Sequence, residues 1–369
     1  MLSYWENKYF LSDVDFCIVG SGIVGLTTAI FIKKKQPKAK VLILERGSLP
    51  SGASTKNAGF ACFGSLSEIL DDVAKHNLDY SVNLVKKRWD GLNALKKLIP
   101  EKHFELKNYG GYELFTHSKS DQKVYEHCVD NINLINSELH FIGKRVFSPA
   151  KNSFGFGNTQ HLLKNHYESQ INTGKLMLKL LEKANDLGIR ILNGVDVINL
   201  ENTGTVSTNL GDFSFKKVIV CTNGFAKKLL PKLDVNPARA QVVITKPIKG
   251  LKLKGTFHYD KGYYYFRNID DRVLFGGGRN LDFKCETTDE IALTQQIQQQ
   301  LETLLKEVVL PNTPHEIDMR WAGIMGVGNS KETIIKEISN KVICAVRMGG
   351  MGVAIGTSVG KETAKLAIG

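Results

Sequence analysis

An α/β protein is what this sequence predicts. It combines a parallel β-α-β unit at the start of the chain with a mostly antiparallel, aromatic-rich sheet in its second half. Three observations carry that reading. Residues 14–20, Val-Asp-Phe-Cys-Ile-Val-Gly, form an apolar run of strand length that enters Gly20-x-Gly22-x-x-Gly25. Helical spacing follows through Ile23, Val24, Leu26, Ile30 and Phe31, and a second apolar run, Val41–Leu44, ends at the acid Glu45. Residues 239–278 are dense in Val, Ile, Tyr and Phe, the composition of paired strands.

The elements are expected in this order. A strand at 14–20, a helix at 22–35 and a strand at 40–45 open the chain. Helical stretches follow at 65–76 and 79–99. In the second, Leu84, Val85, Trp89, Leu92, Leu95 and Leu98 make one stripe and the lysines lie off it. Residues 101–117 read as strands with a turn at Gly110-Gly111. Gly174–Leu187 has helical spacing through Leu176, Leu180, Leu181 and Ala184, and Gly188 stops it. Strands are expected at 189–200, 205–209 and 213–221, and antiparallel strands through 239–278. An amphipathic helix is expected over 288–308, capped by Thr288 or Asp289. A last helix starts near Gly352.

Each part of the opening unit has a physical purpose. Gly20 permits a tight turn, Gly22 lets backbone approach a pyrophosphate, and Gly25 lets helix and strand pack closely. The helix start at Ile23 and Val24 offers free N–H groups and the positive end of a dipole. Glu45, about 20 residues past the third glycine, is placed to accept from a ribose diol, with Arg46 beside it. The site is therefore expected to bind a dinucleotide. The following stretch, Ser51-Gly-Ala-Ser54-Thr-Lys56-Asn57-Ala58-Gly59-Phe60, is small and polar where a nicotinamide-binding unit would continue into a helix. Irregular backbone of that kind can lie against a large planar ligand.

At this stretch the chain resembles the D-amino-acid oxidase superfamily of FAD-dependent oxidoreductases, the glycine oxidase and sarcosine oxidase type. The family pattern is close to Gly-Ala-Ser-x-Arg-Asn-x-Gly, and Lys56 stands where arginine is usual. The resemblance continues through Gly194-Val-Asp-Val-Ile198, Val218-Ile-Val-Cys-Thr-Asn-Gly224, Tyr263-Tyr-Tyr-Phe-Arg267, Arg320-Trp-Ala-Gly-Ile324 and Met348-Gly-Gly-Met-Gly-Val353. The branch it looks most like is that of γ-glutamylputrescine oxidoreductase, through Trp321-x-Gly-x-Met-Gly-Val-Gly328, Cys221-Thr-Asn-Gly and Ser3-Tyr-Trp5.

The resemblance implies a Rossmann-type, glutathione-reductase-like FAD domain interleaved with an α+β substrate domain on a mostly antiparallel sheet. Residues 1–80, 150–230 and 320–369 would make the first, and 81–149 and 231–319 the second. It adds Ser54, Asn57, Ala58, Gly59, Val197, Thr222, Gly224, Gly349, Gly350, Met351, Gly352 and Val353 to the FAD contacts. It implies non-covalent FAD, since the anchoring position of the sarcosine oxidase branch corresponds to Gly323. The turn at Met348–Val353 would aim a helix start at the flavin pyrimidine.

The implied chemistry is oxidation of an amine C–N bond to an imine by hydride transfer to flavin N5, which obliges no side chain to act as catalyst. Tyr264 is expected to wall the substrate pocket with Phe60 and Met325. Glycine oxidase-like members carry an arginine for the substrate carboxylate where this chain has Met325, which cannot bind one bidentately. An amine lacking an α-carboxylate is favoured unless Arg267, Arg320 or Arg347 serves instead. Leu274 aligns with the lysine that activates oxygen in the sarcosine oxidase branch, leaving O2 or another electron acceptor open. The alternatives are an amino-acid oxidase or dehydrogenase, and a flavin-binding maturation or RNA-modifying protein.

Composition restricts the field. Hydrophobic residues make up 42% and charged residues 23%, ordinary for a globular chain, and no run of 18 apolar residues offers a membrane span. The first residues lack a signal peptide's apolar core. The cysteines at 17, 62, 128, 221, 285 and 344 show no CxxC, so a reducing cytoplasm without disulfides is expected. His161 and His166 have no third ligand nearby, so no metal is expected. The net charge of +12 comes from dispersed lysine pairs, which argues against nucleic acid; the resemblance implies a small-molecule amine or amino acid as partner.

Overall fold

The structure is a computed structural model that describes residues 1–369. Two sheets organise it. The first has six strands in the order Ile334–Glu337, Val342–Val346, Lys217–Val220, Phe16–Val19, Val41–Glu45, Arg190–Asn193. All neighbours are parallel except the first pair. Phe16 lies opposite both Val41 and Lys217, so the strand leading into the glycine turn is central. Its residues and those of Val41–Glu45 are all buried, which is why both read as unbroken apolar runs.

The helices Ile23–Lys35, Gly352–Ile368 and Leu78–Leu98 stack together, and glycines set their spacing. A Cβ at Gly360 would overlap the Thr27 hydroxyl, and one at Gly91 would overlap the Ala354 carbonyl oxygen. The Thr27 hydroxyl also bonds the Gly356 carbonyl at 3.3 Å. A three-stranded meander, Val197–Leu200, Thr205–Thr208 and Gly211–Ser214, adds Val206 and Phe213 to the apolar cluster of Val19 and Leu44.

The second sheet has eight strands in the order Ile317–Val327, Asn236–Thr245, Arg272–Gly277, Tyr264–Ile269, Thr256–Tyr259, Gly111–Thr116, Thr159–Asn165, Phe147–Ala150. Only Thr256–Tyr259 and Gly111–Thr116 run parallel. One face buries Phe257, Phe266 and Phe275 under Ile297 and Leu301 of the helix Gln295–Leu304. The rings of Phe257 and Phe266 stack at 4.8 Å. Strands through Asn165 and Val327 belong to this sheet, so the chain passes between the sheets later than the boundaries read from sequence at 150 and 320.

Three other expectations are corrected. Residues 101–117 hold one strand, not two: Glu101–Phe104 is a 3-10 turn, and Glu105 takes a left-handed conformation (φ 51°) before Gly111–Thr116 begins. The helix Lys119–Glu138 was not anticipated, because it buries only Cys128, Ile132 and Ile135; Ser118 caps it by accepting from the Asp121 N–H. The helix expected from 288 begins at Gln295. The Thr294 N–H donates to Gln241 Oε1, and the segment before it is held by a buried ion pair. Arg239 reaches both oxygens of Glu286 at 2.8 and 2.9 Å, with the two side chains 5% and 1% exposed.

Candidate functional site

One cavity of about 600 Å³ runs from the glycine turn of the parallel sheet to the open face of the antiparallel sheet. At the first end Gly20 has φ +103°, and a Cβ there would meet the Cys221 carbonyl at 3.0 Å. A Cβ on Gly22 would lie 2.9 Å from Ser54 Oγ, whose oxygen accepts from the Ile23 N–H at 3.0 Å. The helix start is thus already paired with a polar oxygen. Glu45 is buried; its Oε2 accepts from the N–H and hydroxyl of Ser21, and its Oε1 from the Gly47 N–H. The carboxylate therefore braces the glycine turn as well as lining the cavity. The Arg46 guanidinium carbon lies over the Phe225 ring, 3.8 Å from its centre, and Val197 also lines the cavity.

Asn57, Ala58, Thr222 and the turn Gly349–Val353 also line the cavity. Asn57 shapes its own segment: its amide donates to the Ala53 and Ser54 carbonyls, and its oxygen accepts from the Gly59 N–H. The buried Thr222 hydroxyl has no partner in the protein. Gly349 (φ +56°) and Gly350 (φ +81°) make the left-handed turn that opens the helix Gly352–Ile368.

Gly25, Gly59 and Gly224 act from behind the lining. A Cβ on Gly25 would overlap the Gly20 carbonyl oxygen, one on Gly224 the Met325 carbonyl oxygen, and one on Gly59 would reach 2.6 Å from the Ile171 carbonyl oxygen. They permit the surface without forming it.

At the second end the tyrosine assignment inverts. Tyr264 is 4% exposed and packs among Tyr259, Phe266 and Phe275 in the core, away from the cavity. Tyr265 lies on the cavity face, over Gly276, whose lack of a side chain makes room for its ring. Burial pushes its phenol up to about 12. Phe60 meets the Tyr265 ring at 5.9 Å and the His258 ring at 5.3 Å, both edge-on. Met325, Val242 and Cys62 complete an apolar chamber. Leu274 sits in the small apolar cluster of Ala58, Val242 and Ile244.

Charged groups missed in the sequence gather here. His258 Nε2 lies 2.7 Å from Glu168 Oε1. Glu68 lines the cavity and pairs with Arg88 at 3.4 Å and Lys331 at 3.0 Å. Burial works against its charge, yet those two cations hold its carboxyl down to about 2. Burial pushes Glu113 up, although Ser65 and Ser67 donate to it. Burial, then Glu168 and Glu68, keep the Cys62 thiol well above its usual range, and burial raises Cys221 to about 12. Neither is a ready nucleophile. Any flavin held here should therefore leave with the supernatant when the protein is precipitated with acid; flavin colour in the pellet would contradict this.

The arginines separate clearly. Arg320 is tied to Glu302 and Gln298, each at 2.8 Å, and Arg347 to Asp234 at 2.5 Å. Arg267 is buried behind Gly59, its Nε unpartnered, and burial lowers it to about 10. Arg279, not singled out from the sequence, lines the cavity with no carboxylate partner and lies over the Phe283 ring at 5.0 Å.

The sequence model described as FAD dependent oxidoreductase matches residues 15–366. The probable oxidoreductase OrdL of Haemophilus influenzae is 22% identical, over 97% of this chain and 84% of its own. Among solved structures, glycine oxidase from Geobacillus kaustophilus superposes with a TM-score of 0.76 at 17% identity, covering 96% of this chain and 94% of that one. L-proline dehydrogenase from P. horikoshii gives 0.74 at 18%, covering 96% and 92%. These likenesses establish a shared fold. No helix is long and apolar enough to cross a membrane.

Proposed function

The chain belongs to the FAD-dependent oxidoreductase family, and from that premise we propose that it oxidises the C–N bond of a small amine to an imine. The nucleotide end fits the cofactor on its own terms. The Cβ-free backbone at Gly20 and Gly22 and the unpartnered Thr222 hydroxyl suit a pyrophosphate-linked ligand. FAD, when bound, supplies the two-electron acceptor. The protein's share is to bind the amine, keep water out and hold its reacting carbon still. Phe60, Tyr265, Val242 and Met325 would do this as an apolar wall with one hydroxyl.

The observation that carries the amine reading is Met325. It lines the cavity where the resemblance expects a guanidinium, and Arg267, Arg320 and Arg347 are all directed elsewhere. A buried carboxylate without a charged partner costs several kcal/mol. Amines lacking an α-carboxylate should therefore reduce the flavin faster than the matching α-amino acids when mixed anaerobically. Tyr265→Phe should slow that reduction or weaken binding by about tenfold, the worth of one hydrogen bond, while FAD stays bound.

Arg279 supports a second reading, in which the substrate is an amino acid whose carboxylate pairs with that free guanidinium. The same experiment separates the two. An α-amino acid that outruns every simple amine, and loses its advantage in Arg279→Gln, would establish the second reading and remove the first. Return of the yellow colour on admitting air would identify O2 as the electron acceptor. A protein bleached by neither class would be a maturation or RNA-modifying flavoprotein instead.

A further inference from the structure

We infer that His258, held by Glu168, takes the proton from the substrate ammonium before the carbon is oxidised. This rests on the amine reading above and adds a base to a reaction that otherwise names none. An amine reaches the site mostly as its ammonium, with a pKa near 10. The nitrogen needs its lone pair to release hydride from the adjoining carbon, so one proton must go first.

His258 is built to receive it. It occupies the cavity face of the strand Thr256–Tyr259, directly opposite Tyr265 on the neighbouring strand, and its ring abuts Phe60. Its Nε2 faces Glu168 Oε1 at 2.7 Å, and a carboxylate only accepts, so Nε2 carries the hydrogen. In the neutral ring that leaves the Nδ1 lone pair without a donor from the protein. Glu168 is 1% exposed and its second oxygen has no partner, so its charge is directed at the imidazole alone.

The surrounding charges come from every packed element. Glu168 stands just before Ser169–Gln170, and Glu113 lies opposite His258 on the strand Gly111–Thr116. Glu68 belongs to the helix Leu66–Lys75 and is itself engaged by Arg88 and Lys331; Lys261 also lines the cavity. Desolvation disfavours the imidazolium, and Glu168, Glu113 and Glu68 outweigh it, so the net shift is upward. A base raised toward the pKa of its substrate accepts a proton more readily from it.

The step balances. The N–H bond of the ammonium breaks, its electron pair stays on nitrogen, and the proton bonds to Nδ1. FAD, when bound, would supply the acceptor for the hydrogen that leaves carbon as hydride with both electrons, and the nitrogen lone pair would close the C=N bond of the iminium. The imidazolium faces the Glu168 carboxylate and returns its proton to solvent when the product leaves.

The test is stopped-flow flavin reduction from about pH 6 to about pH 10, with the amine that wild type oxidises best, alongside NMR titration of the histidine ring. In wild type the rate should climb to a plateau, with its midpoint at the His258 titration. His258→Gln, whose amide can still donate to Glu168, should be about 10²-fold slower at neutral pH, with its limb moved up to the free ammonium. Glu168→Gln should move the limb and the NMR titration down in pH together, a coincidence that a merely structural role would not produce. That variant carries the test alone if His258→Gln fails to hold FAD. A wild-type profile in His258→Gln, or a limb in Glu168→Gln that stays while the ring titration moves, would overturn the inference. A wild type bleached by no amine would instead remove the amine reading, before any variant is made.

Discussion

Gly25→Ala is expected to yield protein that is colourless when purified. The added methyl group would overlap the Gly20 carbonyl oxygen, with Gly20 C at 3.1 Å and Ile18 Cγ2 at 3.3 Å just behind it. Neither side can give way. The Gly20 N–H bonds the Leu44 carbonyl at 2.8 Å, and Ile18 is fully buried in the central strand. The helix must therefore move off the sheet, distorting the backbone of Gly20 and Gly22 that lines the cavity. Overpacking of this kind costs about 1–3 kcal/mol or more before the lost ligand is counted. The ratio of visible to ultraviolet absorbance measures the effect directly. Yellow protein with an unchanged melting temperature would show that the contact relaxes.

Glu286→Ala should be the most damaging change outside the cavity lining. It leaves the Arg239 guanidinium buried without its partner and removes one of the acceptors of Gln241 Nε2, at 3.1 Å, leaving only Thr294 Oγ1. Breaking one side of a buried pair costs about 3–5 kcal/mol, or roughly 5 °C of melting temperature in a chain this long. Because the strand Asn236–Thr245 also brings Ala240 and Val242 to the cavity, the loss should appear in substrate affinity too. The double change Arg239→Met with Glu286→Leu should recover most of the stability, since apolar residues can replace such a pair. A single mutant as stable as wild type would mean that water reaches the guanidinium.

The glycine turn was legible because its constraints are local. A positive φ at Gly20, and backbone oxygens where a Cβ would sit, demand glycine in the sequence itself. The face of an aromatic strand was not legible in the same way. In Tyr263-Tyr-Tyr-Phe-Arg267 both faces are aromatic, so alternation does not say which meets the core, and Tyr264 and Tyr265 exchanged places. His258 and Glu168 are 90 residues apart and are joined only by tertiary packing. A parity argument on Thr256–Tyr259 could have placed His258 with Tyr265, but nothing near either residue announces the carboxylate. The helix Lys119–Glu138 escaped for the opposite reason, since so little of it is buried that its apolar spacing is faint.

The order of strands in the six-stranded sheet has a temporal consequence. The strand Phe16–Val19 leaves the ribosome long before its neighbour Lys217–Val220, and Val342–Val346 comes later still. Until then the glycine turn has an open sheet edge beside it and lacks the turn Gly349–Val353 on its far side. Such non-local pairing folds slowly and exposes strand edges meanwhile. The ligand pocket can therefore close only after Val353 has been made, and a chain interrupted before Val346 would reach its quality-control machinery with no cofactor to stabilise it.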